Sequence, residues 1–390
     1  MKSRHIRKIL VCTFKNAFML LSTIFPIKRN KVVFSSFRGT QYSDNPRAIS
    51  ERLHEMDPGR EIVWLFEDPE KKAAVIPSYI RCVSYASFQA IYELATALVW
   101  VDNNIKPEYI RKRKNQYYMQ TWHGDRGPKA ILYESKTSDP RRKYVETDGC
   151  NIMLTGSEFG ERKLRNAFRY SGPFLKFGCP RNDILINQDL AKADSVRAAL
   201  GLDASKKLLL YAPTFREYCK YRSQAQDVGD INLSSLIDRL EKHTGQQWVC
   251  LLRRHHAVRA FKNYQTDNRI MDVSEYDEMS ELMLISDMMI TDYSSSSGDF
   301  PLTKRPLILY HPDIDSYRDE RNLYYRIEDS PFLIARNQKE LEDLACGTTA
   351  EMAAENCDQI LRFYKVYETG SATARAAELV AGWFKAGSKA

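Results

Sequence analysis

Three kinds of side chain in this sequence are placed where they could work on a phosphate ester: a histidine, several cations and a run of hydroxyls. The histidine is His123, in Gln120-Thr121-Trp122-His123-Gly124-Asp125-Arg126-Gly127-Pro128-Lys129. Imidazole suits proton transfer near neutral pH, and the flanking glycines let a ligand approach the backbone. A structural histidine bonded to a loop carbonyl is the plainer alternative. The cations are Arg216, in Tyr211-Ala212-Pro213-Thr214-Phe215-Arg216, and the cluster Arg253-Arg254-His255-His256. Guanidinium groups pair bidentately with phosphate; a solvated charge run is the ordinary alternative. The hydroxyls are Ser294, Ser295, Ser296 and Ser297, directly after Thr291-Asp292-Tyr293. Free N–H groups and hydroxyls at a helix mouth make a phosphate site, unless the serines only cap the helix.

Each of these groups follows a short apolar run. Residues 288–291 read as a buried strand, preceded by a short helix and followed by the hydroxyl-rich turn, the mouth of another helix and a second strand over 306–310. In the first half, strands are expected over 31–36, 61–66, 95–101, 117–122 and 151–157. Helices are expected over 48–56, with Pro46 suiting the start, and over 158–168. In the second half, strands are expected over 208–214, 248–252 and 269–273. Helices are expected over 190–200, closed by Gly201, and over 233–242; residues 218–230 read as a polar surface loop. This alternation predicts α/β folding with parallel, doubly wound sheets, whose ligands sit at the strands' carboxyl ends.

A chain of 390 residues exceeds one ordinary core and fits two domains. The expected division is a basic, apolar segment over 1–30, one domain over 31–188, a second over 189–340, and a helical tail over 341–390 that could cross back to the first. The composition, 43% hydrophobic and 28% charged, is that of an ordinary soluble protein. The net charge of +8 points to an acidic partner. Residues 1–43 contain no Asp or Glu but hold Lys2, Arg4, Arg7, Lys8, Lys15, Lys28, Arg29, Lys31 and Arg38. The remainder is close to neutral, which weakens a nucleic-acid reading. The apolar stretch 17–27 is shorter than the about 20 residues a spanning helix needs, and Lys28-Arg29-Asn30-Lys31, not a small-residue cleavage site, follows it. A helix lying in the interface of an anionic membrane fits; docking on the protein's own core is the alternative. The eight cysteines are never closer than 11 residues, so no zinc spacing exists and free thiols in a reducing compartment are expected. No Gly-x-Gly-x-x-Gly or Walker loop occurs.

Taken in order, these motifs resemble the CDP-glycerol glycerophosphotransferase family, which includes teichoic acid primases and polymerases and capsule polymer enzymes. The resemblance rests on Ser35-Ser36-Phe37-Arg38-Gly39 with Tyr42-Ser43-Asp44-Asn45-Pro46, on Gln120-Thr121-Trp122-His123-Gly124, and on Gly178-Cys179-Pro180-Arg181-Asn182-Asp183. It continues through Tyr211 to Arg216, Arg253-Arg254-His255, and Ser286-Asp287-Met288-Met289-Ile290-Thr291-Asp292-Tyr293-Ser294-Ser295. It implies a GT-B-like fold, with two Rossmann-like domains facing a cleft and a peripheral place on the cytoplasmic face of the cell membrane. It also implies transfer of a polyol phosphate from CDP-glycerol or CDP-ribitol to the hydroxyl of a lipid-linked saccharide or polyol-phosphate polymer, releasing CMP. By that resemblance His123 is the catalytic base and His255 the second functional histidine. Thr214, Arg216, Thr291, Asp292, Ser294 and Ser295 would hold the donor, with Ser296 and Ser297 left to capping. Arg38, Lys129, Arg181, Asn182 and Arg253 are further substrate-binding candidates. No metal, cofactor or nucleic-acid partner is implied.

The chain departs from the family after Trp-His-Gly, where Asp125-Arg126-Gly127-Pro128-Lys129 replaces the Thr-Pro-Leu-Lys usual in wall-polymer polymerases. It departs again at Arg321-Asn322-Leu323 and Ser330-Pro331-Phe332. These loops could shape the polyol or acceptor site, so ribitol remains an alternative to glycerol. A GT-B glycosyltransferase using a nucleotide sugar is a second alternative.

Overall fold

A computed structural model describes residues 2–73, 75–136, 143–214, 231–254, 267–315, 317 and 322–387. The first half holds β1 (Lys28–Ser35), β2 (Glu61–Phe66), β3 (Ile80–Ser84), β4 (Ala97–Asp102), β5 (Tyr117–Gln120), β6 (Ile152–Thr155) and β7 (Phe174–Lys176). The second half holds β8 (Lys207–Ala212), β9 (Trp248–Leu252), β10 (Ile270–Asp272), β11 (Met288–Thr291), β12 (Leu307–Tyr310) and β13 (Leu333–Ala335). All their pairings are parallel. The sheet orders are β3-β2-β1-β4-β5-β6-β7 and β10-β9-β8-β11-β12-β13. Both follow the 3-2-1-4-5-6 Rossmann order, with β7 added to the first. Each therefore has a topological switch point, between β1 and β4 and between β8 and β11.

The strands read as continuous apolar runs because both faces of each sheet are covered. In β1, Val32 and Phe34 join Trp64, Phe66, Ile49 and Leu53 on one side, while Val33 joins Val63, Leu65, Ile91 and Leu94 on the other. Each such buried side chain contributes roughly 1.5–3 kcal/mol. Strand β3 escapes sequence reading: it is a half-exposed edge whose Arg81 pairs with Glu61 at 2.7 Å and Glu93 at 2.8 Å. Strands β5 and β8 stop two residues earlier than their apolar runs suggest, and the chain then turns into the cleft.

The tail forms helices Gln338–Gly347, Ala350–Tyr364 and Ala372–Gly387. The first two pack on the second sheet's cores through Leu341, Ala345, Ile360 and Tyr364. The last crosses over, and Ala372, Ala376, Val380 and Phe384 enter the first domain's core. The N-terminal helix, Lys2–Ser22, is longer than the apolar stretch it was expected to follow. Pro26, which cannot continue a helix, lies just beyond its end. Its Met19 is buried in the first domain and Phe18 meets Phe88 edge-on at 5.0 Å. Leu10, Val11, Phe14, Leu20 and Leu21 of the same helix stay exposed. No helix among the described residues is long and apolar enough to cross a membrane.

Polar groups fill the base of the first switch point. Asp102 accepts the Ser35 hydroxyl at 2.5 Å and pairs with Lys106, whose N–H donates to Glu146 Oε1 at 2.7 Å. Tyr118 donates to the same oxygen at 3.1 Å, while Glu146 Oε2 is buried without a partner. Burial pushes the Glu146 carboxyl up to about 7. A raised carboxyl holds its proton better in the folded state, so its contribution is complete below the unfolded value and is lost as pH rises through about 7. Glu146→Gln should therefore melt several degrees above the parent at pH 8, from relief on the order of 3 kcal/mol, with no gain at pH 5. Thermal melts at the two pH values check this, and an equal or lower melting point at pH 8 counts against it.

Candidate active site

The carboxyl edges of the two sheets face each other across a cavity of about 480 Å³, within the usual range for small-molecule sites. His123 enters it from the first domain. Gln120 ends β5, and its side-chain oxygen accepts the Trp122 N–H at 2.8 Å. Trp122 takes a left-handed backbone, φ +49°, which turns His123 out of the sheet. The imidazole Nδ1 lies 2.6 Å from the Asn103 carbonyl. A carbonyl only accepts, so Nδ1 carries the proton and Nε2 keeps a lone pair. Burial lowers the imidazole below its ordinary value, outweighing the pull of the Asn103 bond and Asp44. A neutral, oriented imidazole is what a general base requires. Asn103 also fixes the wall beside it, accepting Phe37 N–H at 2.7 Å and donating to Ser36 Oγ at 3.0 Å. The Phe37 ring lies 5.1 Å from the imidazole.

The loop after His123 is keyed into the second domain. A Cβ at Gly124 would overlap the Ser295 hydroxyl, and one at Gly127, whose φ is +121°, would lie 3.0 Å from Ser295 Cα. Only glycine allows this approach. The loop then bonds along residues 322–324: Ala130 N–H donates to Asn322 O at 2.9 Å and Tyr324 N–H to Pro128 O at 2.7 Å. The serine run differs from expectation. The expected helix mouth is a four-residue 3-10 turn, Ser295–Gly298, and Ser294 is its cap. Ser294 Oγ accepts Ser296 N–H at 3.2 Å and the Ser296 hydroxyl at 2.8 Å, and Ser297 Oγ donates to Ser294 O at 2.7 Å. Capping thus falls to Ser294 and not to Ser296 and Ser297, which buttress it. Ser294 and Ser295 both border the cavity.

Beneath the cavity lies a buried ionic cluster that sequence reasoning missed. Asp299 accepts Arg126 Nη2 at 2.6 Å, Arg181 Nη2 at 3.0 Å and Asn182 Nδ2 at 3.0 Å. Glu368, from the returning tail, accepts Arg126 Nη2 at 2.6 Å, Asn182 Nδ2 at 2.8 Å and the Cys179 N–H at 2.9 Å. Arg181 Nη1 reaches Asp44 at 3.2 Å. A second seam joins Tyr42 N–H to Asp277 at 2.9 Å, Asp44 N–H to Glu278 at 2.7 Å and Arg47 to Glu281 at 3.1 Å.

Several expected ligand residues already hold protein partners. Arg181 and Asn182 border the cavity, but these side-chain nitrogens are committed to Asp299, Glu368 and Asp44. Thr291 is buried and donates to Ala212 O at 2.7 Å. The Asp292 carboxylate accepts the Thr214 N–H at 2.9 Å and 3.0 Å, which holds the β8 turn, and Asp292 does not border the cavity. Arg38 is exposed, reaches Asn104 at 3.4 Å and does not border the cavity, because Phe37 and Arg38 both take left-handed backbones that swing it outward. Thr214, Lys129 and Arg253 do border it. Arg253 Nη2 donates to Asp277 O at 3.0 Å, and its Nη1 is buried without a partner. Arg216, His255 and the 218–230 loop lie outside the described residues. Together the groups supply an oriented base, cations and hydroxyls, a combination suited to proton removal and displacement at phosphorus.

Residues 17–382 match the family described as CDP-Glycerol:Poly(glycerophosphate) glycerophosphotransferase. The chain belongs to that family. The teichoic acid poly(glycerol phosphate) polymerase of Staphylococcus epidermidis is 33% identical over 319 residues, covering 78% of this chain and 44% of that protein. The chain thus spans less than half the length of that relative. The teichoic acid glycerol-phosphate transferase of Staphylococcus aureus is 30% identical over 393 residues, covering 96% of this chain and 98% of that one. The solved wall teichoic acid polymerase TagF superposes with a TM-score of 0.82 at 29% identity, over 98% of this chain and 97% of that one. Another form of TagF was soaked with CDPG. In this glycerophosphotransferase-family chain the Trp-His-Gly loop and the Thr-Asp-Tyr-Ser-Ser turn, far apart in sequence, meet through Gly124 and Ser295.

Proposed function

We propose that this chain transfers glycerol phosphate from CDP-glycerol to the terminal hydroxyl of a polyol-phosphate or lipid-linked saccharide acceptor, releasing CMP. The observation that carries the reading is His123: Nδ1–H is bound to Asn103 O, and the free Nε2 belongs to a ring bordering a cavity shared with Thr214, Ser294 and Arg253. In the proposed step, Nε2 takes the acceptor hydroxyl proton as that oxygen bonds the phosphorus bearing glycerol. The bond from that phosphorus to the CMP oxygen breaks, and CMP carries away the electron pair. Such displacement depends mostly on positioning and on stabilising negative charge. Among the cations and hydroxyls that border the cavity, Arg253, Lys129 and the serine turn serve that task. We assign charge neutralisation to side chains, with no metal required.

Glycerol is favoured over ribitol because the two relatives named above carry glycerol phosphate in their names. The exposed Leu10, Val11, Phe14, Leu20 and Leu21, on a helix from the basic N-terminal stretch, support a place on an anionic membrane surface at the cytoplasmic face. One reconstitution tests the whole reading. Purified protein is mixed with vesicles containing acidic lipid and a lipid-linked acceptor, then with CDP-glycerol or CDP-ribitol, with and without EDTA. CMP release, product mass and co-sedimentation are measured. The expected result is CMP release with CDP-glycerol, insensitive to EDTA, by vesicle-bound protein. CMP release only with CDP-ribitol, only after Mg²⁺ is restored, or from neither donor overturns the corresponding part, as does protein that stays in the supernatant.

A further inference from the structure

The helix Glu158–Phe168 carries Glu161-Arg162-Lys163-Leu164-Arg165, which reads as a solvated charged face. Lys163 breaks that pattern. It is only 4% exposed and borders the cavity on the first-domain side, as His123 does. Its ammonium makes one hydrogen bond, to Gly127 O at 3.5 Å, and lies 5.3 Å from the Tyr324 ring centroid. Both contacts are weak for a buried charge. Among the described residues no carboxylate forms an ion pair with it. The two carboxylates that attract it are engaged elsewhere. Asp125 Oδ2 accepts Gly156 N–H at 2.7 Å, Thr155 Oγ1 at 3.0 Å and Ser157 Oγ at 3.2 Å, and its Oδ1 faces Arg126 at 3.3 Å. Glu134 accepts the Tyr324 hydroxyl. Burial lowers the Lys163 ammonium to about 8, with Asp125 opposing and Lys129 reinforcing the shift. A buried ammonium with two N–H donors lacking an acceptor among the described residues is costly, and an anion in the cavity would satisfy it.

We propose that Lys163 holds a phosphodiester of the acceptor, so that the site takes a glycerol-phosphate-terminated chain in preference to an uncharged saccharide. This rests on the transfer reaction proposed above. The assignment to the acceptor follows from position. Lys163 and the base that deprotonates the acceptor both rise from the first domain, whereas Thr214, Arg253 and the serine turn lie across the cleft. The anion would sit between Lys163 and the neighbouring Lys129.

The test compares the parent with Lys163→Met, which keeps the length and removes the charge, and with Lys163→Arg. An oligo(glycerol phosphate) acceptor is used for kinetics and, separately, for calorimetric titration without donor. Lys163→Met should raise the acceptor KM and weaken acceptor binding roughly 10- to 100-fold, the range for a lost charge-assisted contact. The KM for CDP-glycerol should stay within about threefold, and Lys163→Arg should recover part of the loss. Lys163→Met should also melt no lower than the parent, because a costly buried charge is gone. An unchanged acceptor affinity, a rise in the donor KM alone, or a drop in melting temperature that accounts for the loss overturns the proposal. The titration needs no turnover. If the protein binds oligo(glycerol phosphate) through Lys163 but releases no CMP from any donor, the reaction assignment fails while the binding site stands.

Discussion

His123→Ala is expected to lower kcat for glycerol-phosphate transfer by roughly 10²- to 10⁴-fold, with circular dichroism unchanged. The side chain's one described hydrogen bond is to Asn103 O, so truncation leaves one carbonyl without its donor and no unpaired charge. The pH profile adds an independent check. Burial lowers the imidazole below its ordinary value of 6.5, so the base stays unprotonated at neutral pH and the acid limb of kcat/KM should fall below pH 6.5. Turnover within about threefold of the parent, or an acid limb at or above that value, would remove His123 from the role of base.

Asp299→Ala is expected to destabilise the protein by about 3 kcal/mol, the low end for removing one partner from a buried ion pair, because Arg126 keeps Glu368 and Arg181 keeps Asp44. Two guanidinium groups, Arg126 and Arg181, and the Asn182 amide lose their common acceptor at once. Because Arg126 sits three residues after His123, activity should fall with stability, and more steeply on warming. The exposed pair Lys365–Glu158, at 2.6 Å, is the control: Lys365→Ala should cost well under about 1 kcal/mol. Urea midpoints for both variants check this, and a loss under about 1 kcal/mol for Asp299→Ala would show that the cluster does not fasten the domains.

Much of the scaffold is legible in sequence because parallel strands covered on both faces become unbroken apolar runs. Residues 61–66, 248–252 and 288–291 were readable as strands for that reason, and His123 for its place at a strand end. Strand β3 was not, because Arg81 on a half-exposed edge hides its pattern. The ligand set was less legible, since a residue type does not say where its donors are committed. Arg181 and Asn182 read as substrate ligands, and nothing near them in sequence shows that Asp299 and Glu368, remote in the chain, already bind them. Lys163 has the opposite disguise, a buried cation within a run that suggests solvent. Which of four adjacent hydroxyls caps a turn depends on backbone geometry, and Ser294 was recognisable only from the fold.

The return of Ala372–Gly387 to the first domain has a consequence for biosynthesis. The side of the first sheet carrying Val32, Phe34 and Trp64 is closed in part by Ala376, Val380 and Phe384, which emerge from the ribosome long after β1. The usual order, in which the N-terminal domain finishes while the next is being made, cannot apply. The first domain waits with apolar surface uncovered until the second has been synthesised and the chain has crossed back. Completion of the domain that carries His123 is thereby coupled to the presence of its partner.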